Sequence, residues 1–493
     1  MNVPEMGNPM TNEKENKPSA INGENISKDN HSANNKEMKE DKNKDLYFPR
    51  RFIVVALCWS GLLIVHAMRV NVGITVVTIL DTDAHSKVGS EAAILSLPKV
   101  TWNSKMIGIL HSIFYIGFII TQIPGGYISR KSYSTKLFSL GIVISCILNV
   151  LLPIGIQNAN YCFTCFIRLC QGLSEGLIFP ALYKIMHNWF PNRSVHKYGG
   201  WIFGGMYAGP IIGFPLDGLI IHYWKWPYVF YLHSLTGIIW FILSYLLFYE
   251  NPSTHPSISE NELSYLLSHQ EIVKEMKIPW CKIFSSTAVW AIITCNFVKS
   301  WMFILMLTNE PVYLNQFKFT MVENGVFSAL PHILKVIIAS VSGYLVEILL
   351  NLNKISKTNV RKLFNTLGFG IESLMCYFLV FANTGIEAVV FLCIGIGFSG
   401  LAVSGWQINF LDIAPEFSGV IAGISATFGT FGGILSPILV GLITHPQTLA
   451  NWQYSFILTG SVLAFGVFIF AIFGRGDRLN WNSEEEIILL EKK

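Results

Sequence analysis

"IVHAMRVNVG", residues 64–73, lies in an almost uncharged apolar run from Phe52 to Leu80. Such a run is long enough to cross a bilayer as a helix, which takes roughly 20 residues. Arg69 sits well inside it. A guanidinium keeps its proton, and at membrane depth its charge costs several kcal/mol. If the run spans a membrane, Arg69 must face protein or an aqueous path rather than lipid. The fold therefore turns on whether the rest of the chain also reads as membrane helices.

The composition says that it does. Of 493 residues, 52% are hydrophobic and 13% charged, and the mean hydropathy is +0.46. Soluble domains carry about 25% charged residues. The net charge of +4 is small and its basic residues are scattered between apolar runs, so no nucleic-acid partner is expected. Most of the nine cysteines lie in apolar segments (Cys58, Cys146, Cys295, Cys376, Cys393) and read as small packing residues. Cys162 and Cys165 form a lone C-x-x-C with no second pair at metal-site spacing, so no metal site and no cofactor are expected. Residues 1–48, rich in Asn, Lys, Glu and Ser, read as a disordered tail. No apolar run follows the first methionine closely, so the first apolar segment is expected to stay in the membrane.

Near-continuous apolar runs predict twelve spans, near 52–80, 106–129, 137–156, 161–188, 198–221, 227–249, 288–308, 324–350, 363–382, 388–411, 418–444 and 453–473. The fold class is an all-α membrane protein of twelve transmembrane helices in two six-helix halves. The expected organisation is a cytosolic tail (1–48), an N-terminal half (49–249), a cytosolic linker (250–287), a C-terminal half (288–474) and a cytosolic tail (475–493). Basic residues in short loops set the orientation. They gather at Arg130, Lys131 and Lys136, at Arg193 and Lys197, and at Lys354, Lys357, Arg361 and Lys362, all on the side expected to hold both termini. "PGGYISRKSYSTK" after span two and "VSGYLVEILLNLNKISKTNVRK" after span eight echo one another, which suggests duplication of a six-helix unit.

An ionisable group within a span is a functional candidate by default. In "CFIRLCQGLSEGLIFPAL", Arg168 and Glu175 stand seven residues apart on one helical face, roughly 10 Å along the axis. That separation is long for a direct salt bridge, and Gln171 lies between them as a polar bridge. Arg69, Arg168 and Lys299 sit at intermediate depth and together attract an anion, which an Arg fork holds bidentately. The other reading of Arg69 is an internal strut to Glu175 or Glu372. Glu175 and His111 are the titratable candidates for proton coupling or sensing, with a packing role the alternative for His111. Lys335, His332 and Lys184 are expected near span ends, where long side chains reach the interface. Gly125, Gly126, Pro215 and Gly429 are candidates for gating or close helix packing.

The stretches "RVNVG", "HSIFYIGFIITQIPGGYI", "RLCQGLSEGLIFPAL", "NFVKSW", "FSALPHIL", "VRKLFNTLGFGIES", "GFSGLAVSG", "INFLDIAP" and "NWQYSFIL" follow one another between about residues 50 and 480. In that set the chain resembles the anion-transporter branch of the major facilitator superfamily, which holds the vesicular glutamate transporters, sialin and the type I sodium–phosphate cotransporters. It resembles the vesicular glutamate transporters most, through His111, Gln171 and "RKLFN…GFG". The resemblance implies a secondary transporter of small organic anions, with potential-driven vesicular uptake of L-glutamate and modulation by protons and chloride. It implies that Arg69 and Arg168 contact substrate carboxylates and that Glu175 and His111 respond to protons. Lys299 falls where those transporters place a third arginine, and keeps the charge without the fork. Phe410 stands where a histidine is expected, and Glu416 where a basic residue usually follows. A sialin-like proton-coupled carrier, a sodium-dependent phosphate cotransporter and an anion channel are the alternatives.

"WNSEEEIILLEKK" places Glu485 ahead of Leu489 and Leu490, an acidic dileucine that a clathrin adaptor would read. This suits an intracellular vesicle membrane, synaptic or endolysosomal, with the plasma membrane the alternative. No nucleophile–base constellation, phosphate-cradling loop or metal motif is present in the sequence, so catalytic residues are expected to be none and the protein is not expected to be an enzyme.

Overall fold

The computed structural model describes residues 49–80, 100, 102–129, 133–190, 195–268, 278–352, 354–479 and 481. The tail before Pro49, the basic pairs Arg130/Lys131 and Arg193, and the dileucine Glu485, Leu489 and Leu490 lie outside the described residues. Arg50–Lys493 forms one compact unit.

Its helices are α1 (Arg50–Leu80), α2 (Ser104–Ser129), α3 (Ser134–Gln157), α4 (Tyr161–Trp189), α5 (Val195–Tyr223), α6 (Pro227–Leu247), α7 (Thr287–Leu314), α8 (Met321–Asn351), α9 (Lys357–Leu379), α10 (Gly385–Ile413), α11 (Ser418–Ile443) and α12 (Leu449–Phe473). Among the described residues, eleven are long and apolar enough to cross a membrane. The twelfth, α9, is more polar because Lys357, Arg361, Lys362, Asn365 and Glu372 lie along it. Its start is capped by Ser356, and α8 and α10 open on capping boxes, Thr320 with Glu323 and Thr384 with Glu387. These caps stop and restart the chain where apolarity alone leaves the boundaries loose. Short helices at Glu260–Ser268 and Trp280–Ser285 lie in the segment between α6 and α7.

The packing repeats. α1 lies on α5 as α7 lies on α11; α2 lies on α4 as α8 lies on α10; α3 lies on α6 as α9 lies on α12. The two sets of six meet along three seams: α1 with α7, α2 with α11, and α5 with α8. Each seam is closed by glycine. A Cβ added at Gly108 would overlap the carbonyl oxygen of Pro437, one at Gly218 that of Met321, and one at Gly73 would press on Leu307. All three contacts lie near the ends of α1, α5, α7 and α11, the far face from the α6–α7 linker. Ser112 Oγ adds a 2.7 Å hydrogen bond to the Ile434 carbonyl across the α2–α11 seam.

Toward the linker face the halves part. One apolar cluster there draws only on α1, α3–α6 and their flanks, from Val54 to Ile258. Another draws on α8–α10 alone, through Val346, Val360 and Phe364. Between the two levels, Phe114, Tyr115, Phe118, Phe214 and Phe303 pack with Leu307 in an aromatic-rich layer shared by both halves. The molecule is thus closed at the far face and divided at the linker face.

Candidate functional site: a buried cationic path between the halves

The N-terminal wall is built by α1, α2, α3 and α4. Glycines at 117, 172 and 176 let α2 and α4 touch backbone to backbone; a Cβ at Gly172 would overlap the Phe114 carbonyl. This close crossing sets the Phe114 ring between two arginines, 4.8 Å from the Arg168 guanidinium carbon and 5.0 Å from that of Arg69. Tyr115 and Phe118 complete the ring of faces around Arg69 at 5.9 and 5.3 Å, an arrangement that stabilises a poorly hydrated cation.

Arg69 and Arg168 differ in their partners. Arg69 donates Nε–H to Glu175 Oε2 at 2.9 Å, and its Nη2 lies 2.8 Å from the same oxygen. Ser145 Oγ donates to Glu175 Oε1 at 2.7 Å. Arg69 is therefore held in a hydrogen-bonded ion pair with Glu175, the strut that the sequence left as the alternative reading. Glu175 is thereby committed to Arg69 and makes no ion pair with Arg168; the pairing runs between helices, which spacing along one helix does not reveal. Arg168, 2% exposed, has a neutral partner, with Nη1 donating to Gln171 Oε1 at 3.1 Å. Its Nε has no partner among the described residues. Gln171 does not bridge Arg168 to Glu175; its amide instead reaches α3, donating to the Ser145 carbonyl and Asn149 Oδ1.

His111 is fully buried on α2, within electrostatic reach of Arg168, and neither ring nitrogen has a hydrogen-bond partner among the described residues. Gly125 packs on Leu177 and Pro180, where α4 is interrupted after Glu175. Gly126 would meet nothing, and Gly429 lies against Asn296 and Ser300 of α7. Pro215 is half-buried within α5, beside the seam residue Phe214.

The C-terminal wall holds Lys299 with its ammonium 5.2 Å from the Phe303 ring. It shares a narrow cleft with Met302, Phe303, Met306, His332, Lys335, Phe369, Glu372 and Ile396, with a free volume of about 10 Å³, room for a single water. Lys335 and His332 do not reach for the interface as expected. They lie near the middle of α8, 6% and 1% exposed, where the predicted span 324–350 also puts them, packed between the halves rather than reaching for either end. Glu310 went unnoticed because α7 continues to Leu314, past the predicted end at 308, and carries Glu310 into the interior. Its Oε2 lies 3.8 Å from His332 Nε2. The "NEP" at 309–311 looks like a helix terminus in sequence, and Pro311 is nevertheless inside the helix. Asp217 and His233 form a further buried pair at 2.7 Å in the N-terminal half.

Among the described residues no group of His, Cys, Asp and Glu is arranged to hold a metal ion. Phe410 lies in the last turn of α10, after a π-helical turn at Val403–Gln407. The side chain of Glu416 is outside the described residues.

Residues 58–437 match the Major Facilitator Superfamily model. The chain is 35% identical to vesicular glutamate transporter 3 of Danio rerio, over 89% of this chain and 75% of that protein. It is 35% identical to vesicular glutamate transporter 1 of Bos taurus, over 89% and 79%. Human vesicular glutamate transporter 2 is 34% identical, over 89% and 76%. Among solved structures, the D-xylose–proton symporter superposes with a TM-score of 0.65 at 13% identity, over 86% of this chain and 98% of that one. A bacterial homologue of the human lysosomal transporter Spinster, inward-facing and occupied, gives 0.63 at 11% identity, over 86% and 97%. The inward-open xylose transporter XylE from E. coli gives 0.64 at 13% identity, over 89% and 99%.

Proposed function

The chain belongs to the Major Facilitator Superfamily, in the branch of the vesicular glutamate transporters, and from that premise we propose that it is a secondary active transporter of small organic anions, with L-glutamate the foremost substrate. The observation that carries this reading is Arg168. It is a permanent cation buried against the Phe114 ring, with a neutral side chain as its one hydrogen-bond partner among the described residues and a spare Nε–H. Burying a charge without a counter-charge is costly, and a carboxylate arriving along the path would relieve that cost while accepting the free donor. Arg69 and Lys299 line the same path as supporting cations, Arg69 already committed to Glu175.

Transport follows from the two-faced packing. Both termini and the linker are on the cytosolic side by the distribution of basic loop residues, so the divided face admits cargo from the cytosol. Loading would weaken the glycine seams of the far face and close the linker face, exposing the path to the lumen. Glutamate carries one net negative charge, so a lumen-positive potential draws it inward by about 2.3 kcal/mol per 100 mV. Protons act through Glu175, whose protonation releases Arg69, and through His111 beside Arg168; chloride competes for the cationic path. The location is an intracellular vesicle membrane, reached through adaptor recognition of Glu485, Leu489 and Leu490.

The test is uptake of labelled glutamate into proteoliposomes under a valinomycin-imposed, inside-positive potential, with sialic acid, aspartate and phosphate in parallel. Saturable, potential-driven glutamate uptake that Arg168→Ala abolishes, in a variant that purifies as the wild type does, is the expected result. Uptake of sialic acid on a proton gradient, or of phosphate with sodium, in preference to glutamate would replace glutamate as substrate.

A further inference from the structure

Lys335 is a buried cation that the site described so far does not use. It is 6% exposed and lies midway along α8. Its ammonium is 5.5 Å from the Tyr207 ring of α5, which places it at the meeting of the two halves. Among the described residues no carboxylate lies within 4 Å of it. The groups that share its cleft are a second ammonium, Lys299, one imidazole, His332, and one carboxylate, Glu372. Within that lining two ammonium groups share one carboxylate, the wall's other buried carboxylate, Glu310, standing 3.8 Å from His332, so the lysine pair keeps one positive charge without a counter-charge. Arg168 leaves one on the N-terminal wall.

The two uncompensated positions lie on one continuous aromatic surface. From Arg168 the path passes Phe114, which packs in the same cluster as Phe303. Phe303 lies 5.2 Å from the Lys299 ammonium and 5.8 Å from the Tyr207 ring, and Tyr207 carries Lys335. A cargo with one anionic group relieves one wall and leaves a buried charge on the other. A cargo with two relieves both. A lysine, a compact point charge without a fork, imposes little geometry on the group it meets.

We propose that Lys335, with Lys299, forms a second anion-holding position on the C-terminal wall, and that Lys335 makes the protein select small molecules carrying two anionic groups. This rests on the anion-transporter reading above and names the residue that sets charge selectivity within it. If Lys335 served only to balance Glu372, its loss would weaken all anionic ligands alike.

The experiment compares glutarate with its mono-amide, which has the same length but one charge fewer, by thermal-shift titration of the purified full-length protein and by potential-driven uptake of both in proteoliposomes. Wild-type protein is expected to prefer glutarate by at least about tenfold, roughly 1.4 kcal/mol. In Lys335→Met the ratio is expected to fall to within about twofold, and Lys335→Arg to restore most of it. An unchanged ratio in Lys335→Met overturns the role of Lys335, as does equal weakening of both ligands. A wild-type protein without preference overturns it with no variant needed. If the wild type carries the anions but the ratio does not depend on Lys335, the transporter reading stands alone; if it neither binds nor carries any of them, both readings fall.

Discussion

At the scale of the residue, the membrane interior sorts its charges by what they touch. Arg69 has a carboxylate, three aromatic faces and, through Glu175, the hydroxyl of Ser145. Arg168 has an amide and one aromatic face. The first arrangement holds itself together; the second leaves a buried charge uncompensated, the position proposed for the substrate anion. Removing one partner of a buried pair leaves an uncompensated charge and costs about 3–5 kcal/mol. Glu175→Gln keeps the shape and an acceptor oxygen but removes the charge, so its detergent-solubilised form is expected to melt several degrees below the wild type. Ser145→Ala, which removes a single hydrogen bond, is expected to cost about 1 kcal/mol. Equal melting of Glu175→Gln and wild type would show that Arg69 draws its stability from the aromatic faces alone.

At the scale of the element, the far-face seams depend on residues with no side chain to interpose. Gly108 meets the Pro437 carbonyl and Gly218 meets Met321, and neither neighbour is a flexible side chain that could turn away. A larger residue at Gly108 must therefore push α2 off α11. Gly108→Val is expected to raise several-fold the labelling of Ser112→Cys by a membrane-impermeant maleimide applied from the far face, since Ser112 is buried in that seam. Labelling at the wild-type rate would place the closure elsewhere. Much at this scale was legible in advance. Apolar runs located all twelve helices, the largest misses being six residues at the end of α7 and at the start of the more polar α9, because most bilayer-spanning helices must be both long and apolar. Helix ends were less legible, and the site suffered there. Glu310 was hidden by a proline that the helix accommodates; Lys335 was assigned to a helix end although the predicted span 324–350, like α8 itself, already puts it near the centre. The partner of Arg69 was beyond reach for another reason: Glu175 stands 106 residues away in the chain, and only tertiary packing selects it over Glu372.

At the scale of the whole molecule, the first part of the linker is fastened to the N-terminal half at several points. The Trp189 indole donates to the Tyr249 carbonyl at 3.0 Å. The backbone amide of Arg50 donates to Glu262 at 3.0 Å, and Arg51 pairs with the same carboxylate at 3.7 Å. Glu250 caps the start of α3, accepting from the amides of Ser134 and Thr135 at 3.0 and 2.9 Å and from both hydroxyls. The ends of α1, α3, α4 and α6 at the linker face are thus tied together by the first part of the linker. Glu250 makes this fastening testable by pH. Half-burial alone would raise its pKa, but the hydroxyls and amides of Ser134 and Thr135 outweigh that and hold the carboxyl below the usual carboxylate range. A group lowered in this way stabilises the fold above its ordinary pKa, and that contribution is lost as pH falls through the depressed value. Between pH 5 and 8, above the ordinary glutamate pKa, the clamp is formed. Glu250→Gln is therefore expected to melt below the wild type by a constant margin across that range, and the margin is expected to shrink only in stronger acid, as the wild-type carboxyl takes up its proton. A margin that already closes between pH 7 and 5.5 would mean that Glu250 titrates near neutrality and that Ser134 and Thr135 do not hold its carboxyl low.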